Sequence, residues 1–164
     1  QLIQRLERFL ATAARIIPQM PDANLTKDVP NRPRGYHVLA HHIFRIPEVF
    51  LNVARGETLT HEALAVGPSA DMNSFAAVGA FGEKVRQDLV AWWTAKADKS
   101  GKDTLHTYYG DQSLHEVLER TTWHSGQHVR QWHMLLGMAD IPVDGPLPDS
   151  AFKDLPMPSS VWDG

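Results

Sequence analysis

The chain has 164 residues, nine histidines, no cysteine and a formal net charge of −3. Its length fits one domain of ordinary size, and the missing cysteine excludes disulfides, thiolate metal sites, iron–sulfur clusters and a cysteine nucleophile. The slightly acidic charge without any basic run argues against a nucleic-acid partner, and no stretch of about 18 apolar residues suggests a membrane span.

Helical periodicity begins at the first residues. The first predicted helix covers about residues 1–17 and has one apolar face, made of Leu2, Leu6, Phe9, Ala13 and Ile16. This segment is amphipathic and lacks the apolar core of a signal peptide, so we expect a cytoplasmic protein. A proline-rich loop leads to a second predicted helix over about residues 35–55, with a local kink at Pro47 and a terminal glycine at Gly56.

The third and fourth predicted helices cover about residues 72–97 and 112–136. Asp111 or Ser113 is suited to cap the last helix, and Gly137 to end it. Residues 137–164 are rich in proline but carry apolar side chains, so we expect an irregular segment packed on the helices. Because strand patterns are scarce, the sequence predicts a single all-α domain over residues 1–164, a four-helix bundle with this C-terminal segment on its surface.

The direction of each helical histidine follows from a helical wheel, because an α-helix turns 100° per residue. On the second predicted helix, His42 lies inside the apolar arc. His41 and His37 lie on the opposite side of the same wheel, and we expect both to be solvated.

The fourth predicted helix turns two further histidines inward. His124 and His128 lie within the apolar arc or at its edge, whereas His115 and His133 lie on a face that we expect to be solvated. Trp123 also points away from the core. An outward tryptophan is suited to anchor either the C-terminal segment or a partner chain.

The three inward histidines suggest a metal site. His124 and His128 are one helical turn apart, the spacing by which one helix offers two nitrogens to one ion, and His42 on a facing helix completes a three-histidine set. Such a set leaves one coordination position open, as in catalytic zinc sites. About half an HxxxH pair is expected by chance among nine histidines, so hydrogen-bonded core histidines are the alternative interpretation. No carboxylate near these residues is placed to act as a base, so any chemistry would rest on a metal-bound water or thiolate.

Three segments of the sequence resemble the DinB-like (DinB/YfiT) superfamily: HVLAHHIFRI, TTWHSGQHVRQ and DLPMPSSVWD. The resemblance covers nearly the whole chain and implies a four-helix bundle in up-down-down-up order. It implies His42, His124 and His128 as metal ligands and Gln131 as the glutamine that follows and supports the last ligand. His41 is an alternative match for the first ligand, and the wheel favours His42.

The resemblance also implies an activity. Members with assigned activities resemble metal-dependent transferases and isomerases that use mycothiol, bacillithiol or glutathione. We therefore expect a metal-dependent transferase that acts with a low-molecular-weight thiol on a small-molecule substrate and holds zinc or nickel. The alternatives are a metal-dependent hydrolase using metal hydroxide and a non-catalytic bundle that the metal stabilises. Because members often pair through helices and Trp123 points outward, we also expect a homodimer.

Overall fold

The computed structural model describes residues 1–163, which form a mostly helical structure with one small antiparallel sheet. Its helices are α1 (Leu2–Ile16), α2 (Tyr36–Ala54), α3 (His61–Ala65), α4 (Phe75–Ala95) and α5 (Leu114–Met138). The sheet consists of β1 (Thr104–Thr107) and β2 (Gly110–Ser113). Within the described residues, no helix combines the length and the apolar character that crossing a membrane requires.

The four long helices begin within about three residues of their predicted first residues. Two of them, α4 and α5, begin at a side-chain cap. α4 begins at Phe75 because the Ser74 hydroxyl accepts a hydrogen bond from the Ala77 amide, 3.0 Å away. Of the two candidate caps for α5, Ser113 is the one used, in a capping box with Glu116.

The helix ends use residues that tolerate a left-handed backbone. After α2, Gly56 has φ = 118°, as predicted for a residue just past a helix C-terminus. α5 continues past Gly137, which was predicted to end it, and is followed by Asp140 with φ = 56°. An aspartate adopts this conformation more readily than most side chains.

The expectation of an all-α chain is wrong in one respect, because residues 104–113 form a β-hairpin. Thr104 pairs with Ser113 at one end of the hairpin and Thr107 with Gly110 at the other. The hairpin is joined to the loop before α3, since the Leu59 amide donates to the carbonyl of His106 at 2.8 Å. These strands contain few apolar side chains, and their stability comes from this attachment more than from their own composition.

One core connects the long helices. α1 and α2 each pack against both α4 and α5. Trp132 of α5 is fully buried at their junction, with its ring 5.4 Å from Phe75 and 6.2 Å from Tyr36, both in edge-to-face geometry. The indole Nε1 donates to the carbonyl of Ile16 at 3.4 Å, so a single side chain of α5 contacts residues of the other three long helices.

The C-terminal segment packs on the helices. Phe152 stacks on Phe9 of α1 with 5.3 Å between ring centroids, and Leu147 is buried. The Arg15 guanidinium donates to the carbonyls of Asp144 and Gly145 at 2.9 and 2.7 Å. Apolar contacts and main-chain hydrogen bonds together hold this proline-rich stretch in place without regular secondary structure.

The close contact between α2 and α4 requires a glycine at position 82, where there is no side chain. A Cβ atom at Gly82 would overlap the Phe44 ring. We expect Gly82→Ala to lower the free energy of unfolding by about 1–3 kcal/mol, because the helices must separate or Phe44 must leave its rotamer. Urea unfolding checks this, with Gly137→Ala as the control. Gly137 lies in α5 with open space around it, so alanine there should be neutral or stabilise by up to about 1 kcal/mol.

Candidate metal centre

The structure brings together the three histidines that the helical wheels turned inward. His42 comes from α2, and His124 and His128 come from successive turns of α5. Each offers one ring nitrogen, and these three atoms lie within 4.8 Å of one another. The ring centroid of His128 is 5.1 Å from those of both His42 and His124. Packing of α2 on α5 therefore assembles the cluster.

The dimensions of the cluster suit a single ion. An ion held tetrahedrally by bonds of about 2.0–2.1 Å needs ligand nitrogens about 3.4 Å apart. Small side-chain rotations would bring the three nitrogens from their present spacing to that value. Three imidazoles leave a fourth position open, and imidazole is a suitable ligand for zinc, nickel, copper and iron alike.

Hydrogen bonds set the tautomer of His128. The Gln131 side chain donates from Nε2 to the carbonyl of Val161 at 2.9 Å, so its Oε1 atom is the acceptor that faces His128 Nδ1 at 2.7 Å. The proton of the neutral ring is therefore on Nδ1, and Nε2 keeps its lone pair. That Nε2 atom is buried and has no hydrogen-bond partner among the described residues. A buried acceptor without a partner is uncommon, and this arrangement is the one by which a supporting group orients a metal ligand.

The other two rings also have close neighbours. The backbone of Leu64, at the end of α3, lies near His42 and partly offsets the lowering of its pKa. His124 stacks on Trp123 with 5.1 Å between centroids. Trp123 is half-buried in this contact, rather than pointing freely outward as its wheel position predicted. The homodimer expected in part from Trp123 stays a prediction.

Burial keeps all three histidines neutral. The pKa of His42 is lowered to about 3 and that of His124 to about 4, and the pKa of His128 lies well below its ordinary value; burial is the largest cause in each case. The positive charge of Arg34 contributes to all three shifts, and that of Arg120 contributes to the shift of His124. Neutral imidazole is the form that binds metal ions, so the cluster is ready to bind near pH 7 without first losing protons.

A small cavity of about 20 Å³ adjoins His124, enough for about one water molecule. Its walls are mostly apolar side chains of α2, α5 and the residues around α3. The polar groups among its lining residues are Tyr109 of the hairpin turn and Arg120 and Thr121 of α5. The β-hairpin that the sequence did not predict therefore forms part of the surroundings of the cluster.

His41, the alternative match for the first ligand, lies on another side of α2. It is buried, with 4% of its surface exposed, and its ring stacks on Phe81 of α4 at 5.2 Å between centroids. The prediction that His41 is solvated is therefore wrong. α2 packs between α4 and α5, which bury two sides of it, whereas the wheel assumed a single apolar arc.

Two more of the histidines predicted to be solvated are partly covered. His37 is half-buried, and its Nε2 lies 2.6 Å from the carbonyl of Met72 in the loop before α4. His133 is half-buried, and its Nε2 atom has no hydrogen-bond partner among residues 1–163. His115 is exposed, as predicted. A wheel describes one helix alone, so it does not include covering by loops.

The sequence interpretation also missed three residues near the cluster. Arg120 lies one helical turn before His124 on α5, and this spacing is a signal that could have found it. Arg34 precedes α2 and Tyr109 lies in the hairpin turn. Both lie outside any regular helix face, so periodicity carries no information about where they point.

In comparisons with known proteins, no family model matches the chain and no curated protein matches its sequence. The fold and the site themselves define a mostly helical protein in which three neutral histidines from two packed helices could hold a metal ion.

The ligand assignment predicts which variants lose the metal. His42→Ala, His124→Ala and His128→Ala should each abolish stoichiometric binding of zinc or nickel, because each removes one of three converging nitrogens. His41→Ala and His37→Ala should keep it, since these rings face Phe81 and Met72 instead. Metal content after gel filtration measures this. Loss of metal in His41→Ala with retention in His42→Ala would reverse the assignment.

The lowered pKa values predict an acid-sensitive metal-free protein. An unfolded histidine takes up a proton below about pH 6.5, whereas His42 and His124 stay neutral in the folded chain down to about pH 4. The unfolded state then binds more protons than the folded state. As the pH is lowered from 6.5 to 5, the free energy of unfolding should therefore decrease by up to about 1.4 kcal/mol per pH unit for each histidine.

Urea unfolding of the metal-free protein at several pH values in this range measures that slope. The His124→Gln variant lacks one of the titrating groups and should show a shallower dependence than the unchanged protein. Equal slopes would mean that His124 does not titrate differently in the folded and unfolded states.

Proposed function

We propose that this protein is a DinB-like, metal-dependent transferase that acts with a low-molecular-weight thiol at a zinc or nickel ion held by His42, His124 and His128. The observation that carries the proposal is the convergence of three neutral imidazoles beside a cavity. A three-histidine set leaves a coordination position for a ligand.

The packing of the helices supports the DinB-like part of the proposal. In that fold α1, α2, α4 and α5 are the four helices of an up-down-down-up bundle, with α3 and the hairpin as additions between them. Packing of α1 and α2 each against both α4 and α5 fits a four-membered bundle. The C-terminal segment, which carries one of the three resembling motifs, contacts Gln131 directly.

The chemistry of the donor set supports a thiol ligand. A bound divalent ion lowers the pKa of a coordinated thiol and so supplies a thiolate nucleophile near pH 7. Two features of the chain would serve such a ligand: Gln131 orients the imidazole of His128, and apolar side chains form most of the cavity walls beside His124. The structure places no carboxylate in a hydrogen bond with any of the three histidines within residues 1–163.

Binding of thiols to the metal-loaded protein tests the proposal. Glutathione, bacillithiol and mycothiol are each added at millimolar concentration, and at least one should raise the melting temperature by mass action on the folded state. The metal-free protein should show no such shift. The cobalt-substituted protein should gain a sulfur-to-metal charge-transfer band with the same thiol, and S-methylglutathione, which lacks the free thiol, should give none.

Failure of all three thiols in both measurements would contradict the transferase proposal. A metal-loaded protein that cleaves an ester substrate would then favour the hydrolase. A tightly bound metal with neither property would favour the non-catalytic, metal-stabilised bundle.

A further inference from the structure

Two arginines bring positive charge to the three-histidine cluster. Arg120 and His124 both line the cavity, one turn apart on the same face of α5. Arg34, in the loop before α2, acts electrostatically on all three histidines. A divalent ion would add two further positive charges to this region, and within residues 1–163 no acidic side chain lines the cavity to offset them.

Neither of these two arginines is paired with a carboxylate within the described residues. Four arginines elsewhere in the structure pair with carboxylates: Arg15, Arg45, Arg55 and Arg86. The guanidinium of Arg34 is half-buried and makes no hydrogen bond or ion pair within the described part of the chain. A partly buried charge without a partner is costly, so its retention here points to a partner outside the described residues 1–163.

Arg120 is held in position without being neutralised. Its guanidinium lies 4.8 Å from the centroid of the Tyr109 ring, and Nη2 donates to the Tyr108 hydroxyl at 3.4 Å. A cation–π contact orients the guanidinium and leaves N–H donors available. The planar fork of an arginine matches the two oxygens of a carboxylate, which makes a carboxylate the fitting partner.

We propose that Arg34 and Arg120 recognise a carboxylate of the small molecule that binds beside the three-histidine cluster. This inference rests on the proposed function for the presence of the metal. The carboxylate belongs either to the thiol cosubstrate or to the acceptor substrate, and the pairing chemistry is the same for both.

Three probes distinguish these sources in the cobalt-loaded protein. Glutathione carries a thiol and carboxylates, 2-mercaptoethanol carries a thiol without a charge, and succinate carries carboxylates without a thiol. Each is titrated at constant ionic strength into the unchanged protein, Arg34→Gln and Arg120→Gln, and binding is followed by calorimetry and by the cobalt spectrum. Arg8→Gln is the matched control, because it removes one positive charge from an exposed position of α1.

If the thiol carries the carboxylate, Arg34→Gln and Arg120→Gln should each weaken glutathione binding by about tenfold or more and leave 2-mercaptoethanol binding unchanged. If the acceptor carries it, the same variants should weaken succinate binding by a similar factor and leave glutathione binding unchanged. Arg8→Gln should match the unchanged protein throughout, and cobalt stoichiometry should be the same in all four proteins.

Two results would overturn the inference: neither carboxylate probe binds the unchanged protein, or both arginine variants bind them as Arg8→Gln does. The proposed function fails separately. If neither glutathione nor 2-mercaptoethanol gives a charge-transfer band in the unchanged protein, the proposed thiol-dependent function is contradicted. Succinate binding still measures carboxylate recognition in that case.

Discussion

The unmatched lone pair of His128 is the constraint on which the site depends. This imidazole is buried between α2 and α5, and in the part of the chain that the structure describes only its Nδ1 atom has a hydrogen-bond partner, Gln131. Leaving the other nitrogen unpaired in a core costs about 1–3 kcal/mol. An ion bound at Nε2 would remove that cost and would join α2 to α5 through His42. In this arrangement metal binding and stability of the helix packing are coupled, because the ion binds the folded state and not the separated helices.

The C-terminal segment belongs to the site although it contributes no ligand. Gln127 donates from Nε2 toward the carbonyls of Ser160, Val161 and Asp163, at 2.7–3.0 Å. Gln131 donates to Val161 as well, and this bond determines which end of its amide faces His128. Irregular backbone is well suited to this task, because its carbonyls are not used in a helix or a sheet. The far end of the chain thereby fixes a proton on a histidine in α5.

The surroundings of the cluster come from parts of the chain with little regular structure. Leu59 precedes the short helix α3, Leu64 lies in its last turn, Tyr109 lies in the hairpin turn, and all three line the cavity beside His124. Long helices supply the ligands with fixed spacing, whereas loops and the hairpin supply the walls and the charge. This division is common in proteins, since a rigid scaffold positions the reacting groups and loops determine what reaches them.

The sequence alone determined the features that depend on one helix at a time. Periodicity located the four long helices, and the angular positions of His42, His124 and His128 turned them inward, because both follow from 3.6 residues per turn. The tertiary structure decided the features that depend on two or more elements. His41 is buried because α4 covers a second side of α2, and the hairpin of residues 104–113 forms because Leu59 pairs with it. Arg34, from the loop before α2, and Arg120, from α5, both come to act on His124 through the packing of α2 on α5. Local periodicity contains no information on these tertiary contacts, because they depend on which surfaces of the folded chain pack together.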